Sequence, residues 1–156
     1  YRYVAEEKTA LTNIKLNNKI LHQSKLLNYF KKESSIKNID KELNDFLRKI
    51  KKDKKYFFST KDIILVESLK SDGVEVSEKY KNLYKVDDSE IPADIQKFID
   101  MGDMGLAMLR IVQVIGQDEL KDIDPETMYF IISTLNQLDI DPIRNQILLK
   151  VLPLKV

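Results

Sequence analysis

The length and composition of this chain indicate one helical domain. Its 156 residues, 43% of them hydrophobic, are enough to enclose a sizeable core. Only four glycines and four prolines occur, and the abundant leucine, isoleucine, lysine, glutamate and aspartate favour helices. This composition argues against β-sandwiches and against glycine-rich phosphate-binding loops.

The residue counts also exclude several kinds of site. The absence of cysteine removes disulfides, thiolate zinc sites, iron–sulfur clusters and cysteine nucleophiles. His22 is the only histidine, so we expect a surface or packing residue, with neither a Ser/His/Asp triad nor a multi-histidine metal site. We therefore predict no catalytic residue, no metal and no cofactor.

The hydropathy of the chain does not predict a transmembrane segment. No run of 18 apolar residues is present, and the most hydrophobic stretch, 106–115, is interrupted by Arg110 and Gln113. The sequence begins at Tyr1 and not at methionine, so we expect it to be a portion of a longer protein.

The formal net charge of +1 conceals two halves of opposite sign. Residues 1–58 contain 15 Lys and Arg against 7 Asp and Glu, and residues 59–156 contain 11 against 18, which gives about +8 and −7. The basic half can attract nucleic acid or an anionic membrane, or it can pair with the acidic half. Lysine-rich, solvated helix faces are the simpler interpretation.

The first segment is predicted to be one long helix. From Tyr3 to about Lys32 there is no proline or glycine, and apolar residues recur along two neighbouring faces. A heptad frame with Asn18 as its polar register residue would describe a short coiled coil. Because fewer than four heptads are present, ordinary packing on neighbouring helices is the preferred interpretation.

The central segment predicts two or three further helices. Two serines precede residues 36–50, where apolar side chains recur every three or four positions. The sequence STKD at 59–62 resembles a second cap, and Gly73 is a suitable end for the helix that follows. The β-branched run IILV within that helix leaves a short strand as an alternative. A modest helix is predicted at 77–84.

Prolines divide the C-terminal part into short helices. Pro92, Pro125 and Pro142 each stand directly before an apolar helical pattern, and Asp124 and Asp141 are suitable caps. The helices are predicted at 92–101, 103–115, 125–138 and 142–152, with a single turn near 118–122. Those at 106–115 and 128–138 are apolar over most of their circumference and are expected to lie centrally.

The spacing of these prolines predicts the architecture. Pro125 follows Pro92 by 33 residues and Pro142 follows after 17, which is the helix-turn-helix rhythm of α-solenoid repeats. We predict an all-α fold of short antiparallel helices stacked as an α-solenoid-like array with a TPR/HEAT-like rhythm, plus one longer N-terminal helix. We expect a single domain over 1–156, with a basic long-helix pair at 1–55 and a helical-repeat region at 58–156.

A basic run at the end of the second predicted helix is the one candidate binding site. The run RKIKKDKK at 48–55 is followed by three aromatic residues, which combine positive charge with stacking platforms. The candidate residues for nucleic-acid or anion binding are Lys49, Lys51, Lys52, Lys55 and Tyr56. Against this interpretation, only two arginines accompany the lysines of the first half.

Other clusters have simpler explanations. The acidic clusters at 87–90 and 118–124 lack the spacing of a calcium loop and stand before predicted helices, where carboxylates stabilise the helix end. Gly102 and Gly105 are not followed by the Lys-Ser/Thr of a phosphate loop. They predict a tight corner between helices, capped by Asp103.

Three stretches resemble the C-terminal region of large uncharacterised alphaproteobacterial proteins. These stretches are DIILVESLKSDGVEVSEKY, EIPADIQKFIDMGDMGLAMLRIVQVIGQDEL and DPETMYFIISTLNQLDIDPIRNQILLKVLPL, and the resemblance covers about residues 58–156. It implies a predominantly helical bacterial protein that is exported or associated with the cell envelope. It implies no site residues.

Together these features predict a non-catalytic protein–protein interaction or scaffolding module. Stacked helix pairs leave a curved groove, in which a peptide, a partner subunit or a second copy can pack. One alternative is a nucleic-acid or anionic-surface binder that uses the basic half. Another is a helical accessory domain of a cell-envelope enzyme.

Overall fold

The structure is a computed structural model, which describes residues 14–31, 36–85, 93–103, 106 and 123–155. These residues form mostly helices, which confirms the all-α prediction. The α-helices are α1 (Ile36–Lys52), α2 (Thr60–Ser71), α3 (Ala93–Asp100), α4 (Pro125–Leu138) and α5 (Asp141–Val151). Three 3-10 segments occur at Leu21–Gln23, Lys25–Lys31 and Glu78–Tyr80. Two-residue strands, β1 (Ile14–Lys15) and β2 (Leu154–Lys155), pair antiparallel.

Helix α1 has the amphipathic pattern that its sequence predicts. Ile39, Leu43, Leu47 and Ile50 are buried, and their spacing of three or four residues places them on one face. Asn44, on a second face, attaches the helix to the chain after α2. Its amide donates to the Glu75 carbonyl at 2.9 Å, so α1 is fixed on two sides.

Helix α2 is a helix and not a strand because both of its ends are capped. The Ser59 hydroxyl accepts from the Asp62 N–H at 3.3 Å, and the Asp62 carboxylate accepts from the Ser59 N–H at 3.2 Å. At the other end Gly73 has a φ of 99°, which the absence of a Cβ permits. The run IILV is buried on nearly all sides because α2 lies centrally and packs along α4.

Pro125 and Pro142 stand in the first turn of α4 and α5, as predicted, whereas Pro92 lies outside the described residues. Asp124 accepts from the Thr127 N–H at 2.9 Å, and hydrogen bonding to Thr127 lowers the pKa of this carboxyl. Helix α4 is mostly buried, which confirms its predicted central position. The predicted cap at Asp141 needs correction. Asp141 is the first residue of α5, no side chain caps the helix, and its carboxylate lies 3.5 Å from Arg144 Nη1.

The remaining C-terminal predictions are only partly within the described residues. Helix α3 agrees with the predicted 92–101 to within about one residue at each end. Gly102 has a φ of 72°, and Asp103 accepts from the Leu106 N–H at 3.1 Å, as expected for a corner. The predicted helix beyond 106, the turn near 118–122 and most of both acidic clusters lie outside the described residues.

The prediction of one long helix from Tyr3 to about Lys32 is not confirmed, because residues 14–31 contain a strand, a loop and 3-10 segments. The loop is stabilised by side chains that compete with helical hydrogen bonds. Asn18, the proposed register residue of a coiled coil, accepts from the Lys25 N–H at 2.9 Å.

Tertiary contacts explain the preference for 3-10 geometry in this segment. It is tied to the two ends of α2, at Asp62 through His22 and at Asp72 through Tyr29. Ten residues of α-helix separate these carboxylates, a rise of about 15 Å. From His22 to Tyr29 an α-helix would rise only about 10.5 Å. The observed segment consists of two 3-10 pieces joined at Ser24, whose backbone is extended, and both conformations rise more per residue than an α-helix.

The α-solenoid-like stacking is not confirmed either. In a solenoid each repeat contacts only its neighbours in sequence. Here one buried cluster includes residues from Leu21 to Leu152, and the ladder pairs Ile14 with Lys155. The described helices therefore share one core and do not form a linear array.

A buried arginine joins three parts of this core. Arg144, with a side chain that is 0% exposed, donates from Nη1 and Nη2 to the Asp72 carboxylate at 2.7 and 2.6 Å. Nη1 also donates to the Asn136 side chain of α4 at 3.1 Å. The Tyr29 hydroxyl donates to Asp72 at 2.8 Å. This set, Arg144, Asp72, Tyr29 and Asn136, is called the arginine cluster below.

The environment of the arginine cluster alters the acidity of two of its members. Burial tends to raise the pKa of Asp72, but the hydrogen bonds from Arg144 and Tyr29 outweigh it and leave that pKa below its ordinary value. Burial, together with the hydrogen bond to Asp72, raises the pKa of Tyr29 to about 12. The charged carboxylate and the neutral phenol are therefore the forms that the fold stabilises.

The arginine cluster predicts a large effect of removing one partner. We expect Arg144→Met to lower the free energy of unfolding by about 3–5 kcal/mol, because it leaves the Asp72 carboxylate, which is only 10% exposed, without its counter-ion. The double variant R144M/D72N should recover much of this loss. The matched control is the exposed pair Lys81–Glu78, where Lys81→Met should cost at most about 1 kcal/mol. Urea unfolding measures all three, and a cost of R144M as small as that of K81M would contradict the prediction.

The lowered pKa of Asp72 predicts acid sensitivity. Its carboxylate stabilises the fold fully above the ordinary value of 3.8, and this contribution is lost as the pH falls through the lower pKa of the folded state. We therefore expect the free energy of unfolding to fall as the pH is lowered below the ordinary pKa of 3.8. In D72N the corresponding fall should be smaller. Equal pH profiles of the two proteins in urea unfolding would contradict this assignment.

Candidate functional site

The last five residues of α1 and the turn that follows the helix are rich in lysine. This stretch, residues 48–57, is called the basic loop below. It contains one arginine, five lysines and a single acid, Asp53. The lysines near Lys52, the last residue of α1, lie at the negative end of the helix dipole, which stabilises them. Asp53 shapes the turn, since its side chain accepts from the Lys55 N–H at 3.0 Å. The single acid therefore has a structural role.

The structure brings the predicted lysines together on an exposed surface. Lys49, Lys52, Lys54 and Lys55 are exposed, and none has an ion pair or side-chain hydrogen bond within the described part of the chain. Lys51 differs, because its ammonium donates to the Lys79 carbonyl at 3.2 Å and lies 5.9 Å from the centre of the Tyr80 ring. Four lysines are thus available to a partner, and Lys51 holds the loop against its neighbour.

The aromatic residues of this region divide into two kinds. Phe57 is 81% exposed. Tyr56 and Phe58 are half-buried and meet edge to face at 6.5 Å, and Phe58 also stacks on Tyr84 at 5.1 Å. The stacking platform predicted for Tyr56 therefore needs correction, because its hydroxyl points into the protein. Phe57 occupies the exposed position instead.

Tyr56 anchors the basic loop to the core. Its hydroxyl donates to the Asp62 carboxylate at 2.8 Å and accepts from the Leu21 N–H at 2.9 Å. Burial, with the nearby Asp62 carboxylate adding to it, raises the pKa of Tyr56 far above its ordinary value. The neutral phenol therefore fixes Tyr56 in place. Because Phe57 is the next residue, the backbone that carries its exposed ring is also restrained.

Asp62 also binds His22, which makes this histidine a packing residue. Its Oδ1 accepts from the His22 N–H at 2.9 Å and lies 2.7 Å from the ring Nδ1. Ser59 Oγ lies 3.5 Å from the same ring nitrogen. A nucleophilic triad needs the acid and the serine on opposite nitrogens of the ring. The meeting of Ser59, His22 and Asp62, which sequence analysis did not predict, therefore has the geometry of a structural anchor.

A cavity of about 240 Å³ adjoins the basic loop. It is lined by Asn18, Lys25, Leu26, Glu42, Phe46 and Lys49. Lys49 belongs to both features, and Lys25 comes from the 3-10 segment before α1. The cavity thus brings Lys25 of the N-terminal segment near Lys49, with the Glu42 carboxylate beside them.

Comparisons with protein-family models, with curated proteins and with solved structures find no significant match to this chain. Within the described ranges, no group of three or more His, Asp or Glu side chains is suitably placed to hold a metal ion. The described helices also include none that is long and apolar enough to cross a membrane.

The anchoring role of Tyr56 predicts a loss of stability on removal of its hydroxyl. We expect Tyr56→Phe to lower the free energy of unfolding by about 1–3 kcal/mol, because it leaves the Leu21 N–H without a partner and removes one of the two hydrogen bonds that Asp62 Oδ2 accepts. The matched control is Tyr80→Phe, whose hydroxyl has no hydrogen bond to the described residues and which should cost under about 0.5 kcal/mol. Urea unfolding of both variants tests this, and equal costs would contradict the anchor.

Proposed function

We propose that this chain is a non-catalytic binding module, and that the basic loop holds the acidic surface of a partner. The observation that carries the proposal is the exposure of Phe57 among four exposed lysines. The sequence led to the same class of function, but with the partner bound in a solenoid groove. The binding surface proposed here is instead at the C-terminal end of α1.

Charge supports an acidic partner. Like charges held close together repel one another, and an opposing surface relieves that repulsion while speeding the encounter. Lys49, Lys52, Lys54 and Lys55 form no ion pair with a carboxylate of the described residues, whereas Arg48 lies 3.9 Å from Asp45. The positive charge of these lysines is therefore not compensated within the described residues and can attract an acidic surface of another molecule.

The exposed ring supports a contact that goes beyond charge. A phenylalanine side chain gains about 1.5–3 kcal/mol when it leaves water completely, and Phe57 gains little of this within its own chain. The backbone beside it is fixed through Tyr56, so burial against a partner would require little further ordering. A fixed apolar group surrounded by cations is suited to an interface with an apolar centre and a charged rim.

The proposal is tested by a photo-crosslinking phenylalanine analogue at position 57. Irradiation in native lysate should yield an adduct that disappears at high salt, because the lysines provide much of the attraction. The control carries the same analogue at position 41, an exposed lysine nearer the start of α1. Its adducts should be few and insensitive to salt. Mass analysis distinguishes a protein, a nucleic acid, a lipid and a second copy of the chain.

Identical adduct patterns from positions 57 and 41 would overturn the proposal. An adduct at 57 that persists at high salt would also contradict it, since such binding would not depend on the lysines.

A further inference from the structure

We propose that the acidic surface bound by the basic loop is a bilayer containing anionic phospholipids, with Phe57 inserted at the level of the headgroups. This inference rests on the proposed function, because it names the partner of the same loop. It depends on the kind of cation in the loop, the number of exposed rings and the arrangement of the two.

The choice of cation favours a diffuse negative surface. The loop has five lysines and one arginine, and that arginine lies near Asp45. Arginine is the residue suited to bidentate binding of phosphates and to reading bases, whereas a lysine ammonium on a flexible stem acts as a point charge. Clustered lysines are attracted to anionic lipid without any fixed bonding geometry.

The number of exposed rings argues against single-stranded nucleic acid. Such binders stack successive bases on several aromatic faces. In this loop Tyr56 is tied to Asp62 through its hydroxyl, and Phe58 is stacked on Tyr84, so Phe57 alone among the three is exposed. One protruding ring offers a single stacking position, but it is sufficient as an apolar anchor in a membrane interface.

The arrangement combines the two signals that peripheral membrane binding requires. A single apolar group or a few charges gives only weak, reversible attachment, and the combination of the two binds more strongly than either alone. Lys52 and Lys54 precede Phe57 by five and three residues, and the cavity beside Lys49 is lined by Lys25 and by Glu42, whose charges offset one another. Each lysine near an anionic bilayer strengthens binding by about five-fold.

Sedimentation with vesicles of defined composition tests the charge contribution. The complete chain is mixed with vesicles of phosphatidylcholine alone, or with about one third of phosphatidylserine or phosphatidylglycerol. We expect binding to both anionic mixtures, little binding to phosphatidylcholine, and loss of binding as salt is raised. Equal binding to the two anionic lipids would indicate recognition of charge and not of one headgroup.

Two matched double variants test whether vesicle binding depends on the lysines at the C-terminal end of α1 and not on those near its start. The variant K49Q/K52Q should bind anionic vesicles about 25-fold more weakly, at about five-fold for each lysine. The control K37Q/K41Q removes the same charge from exposed positions nearer the start of the helix and should change binding by less than about three-fold. Equal losses in the two variants would overturn the assignment to the basic loop. Urea unfolding verifies that both variants fold.

A second measurement reports the insertion of residue 57 directly. The chain contains no tryptophan, so Phe57→Trp introduces a single fluorophore. Its emission should shift to the blue with anionic vesicles and be quenched by brominated acyl chains. Phe57→Ala should weaken vesicle binding by on the order of ten-fold, because its apolar burial is lost. A bound F57W protein without blue shift or quenching would overturn the insertion.

The failure of this inference can be told apart from the failure of the proposed function. Absence of binding to anionic vesicles at low salt, with a salt-sensitive protein or nucleic-acid adduct from position 57, would reject the bilayer and retain the binding loop. Absence of vesicle binding together with identical adducts from positions 57 and 41 would reject both. A lipid adduct from position 57 supports both.

Discussion

The guanidinium of Arg144 meets the carboxylate of Asp72 in the interior of the protein, with both oxygens engaged at 2.6–2.7 Å. A buried charge is unfavourable without a partner, so each of these residues requires the other to remain in place. The same carboxylate binds Tyr29, and the same guanidinium binds Asn136. The packing of α5, α4 and the N-terminal segment around the end of α2 therefore depends on this one ion pair.

A second carboxylate, that of Asp62, is buried at the other end of α2. Asp62 holds His22 and Tyr56 by hydrogen bonds of 2.7 and 2.8 Å. The two carboxylates thus attach the N-terminal segment along the length of α2, and Asp62 also fixes the turn after α1. A helix whose two ends are both engaged in this way stabilises the fold and, through Tyr56, orients the exposed Phe57.

The proposed function rests on two roles that neighbouring residues of the basic loop have: some anchor the loop to the protein and others are exposed to solvent. Tyr56 and Phe58 face the protein, and Lys51 is exposed but bonded to the Lys79 carbonyl, whereas Phe57 and the other four lysines face solvent without such a contact. The groups that hold the loop and those offered to a partner alternate along a few residues. Alanine or glutamine variants of the exposed groups are therefore expected to change binding with small effects on stability.

Local chemistry made several elements predictable from the sequence alone. The caps at Ser59 and Asp124, the end at Gly73 and the apolar spacing of α1 act within a few residues, so the helices that depend on them were located correctly. The tertiary structure decided the rest, because the decisive partners lie far apart in sequence. Arg144 is 72 residues from Asp72, and His22 is 40 from Asp62. Periodicity reveals only that Arg144 shares the face of Ile147 and Leu148, and does not name its partner. The stretched geometry of residues 25–31 and the inward turn of Tyr56 likewise depend on buried carboxylates that only folding brings near.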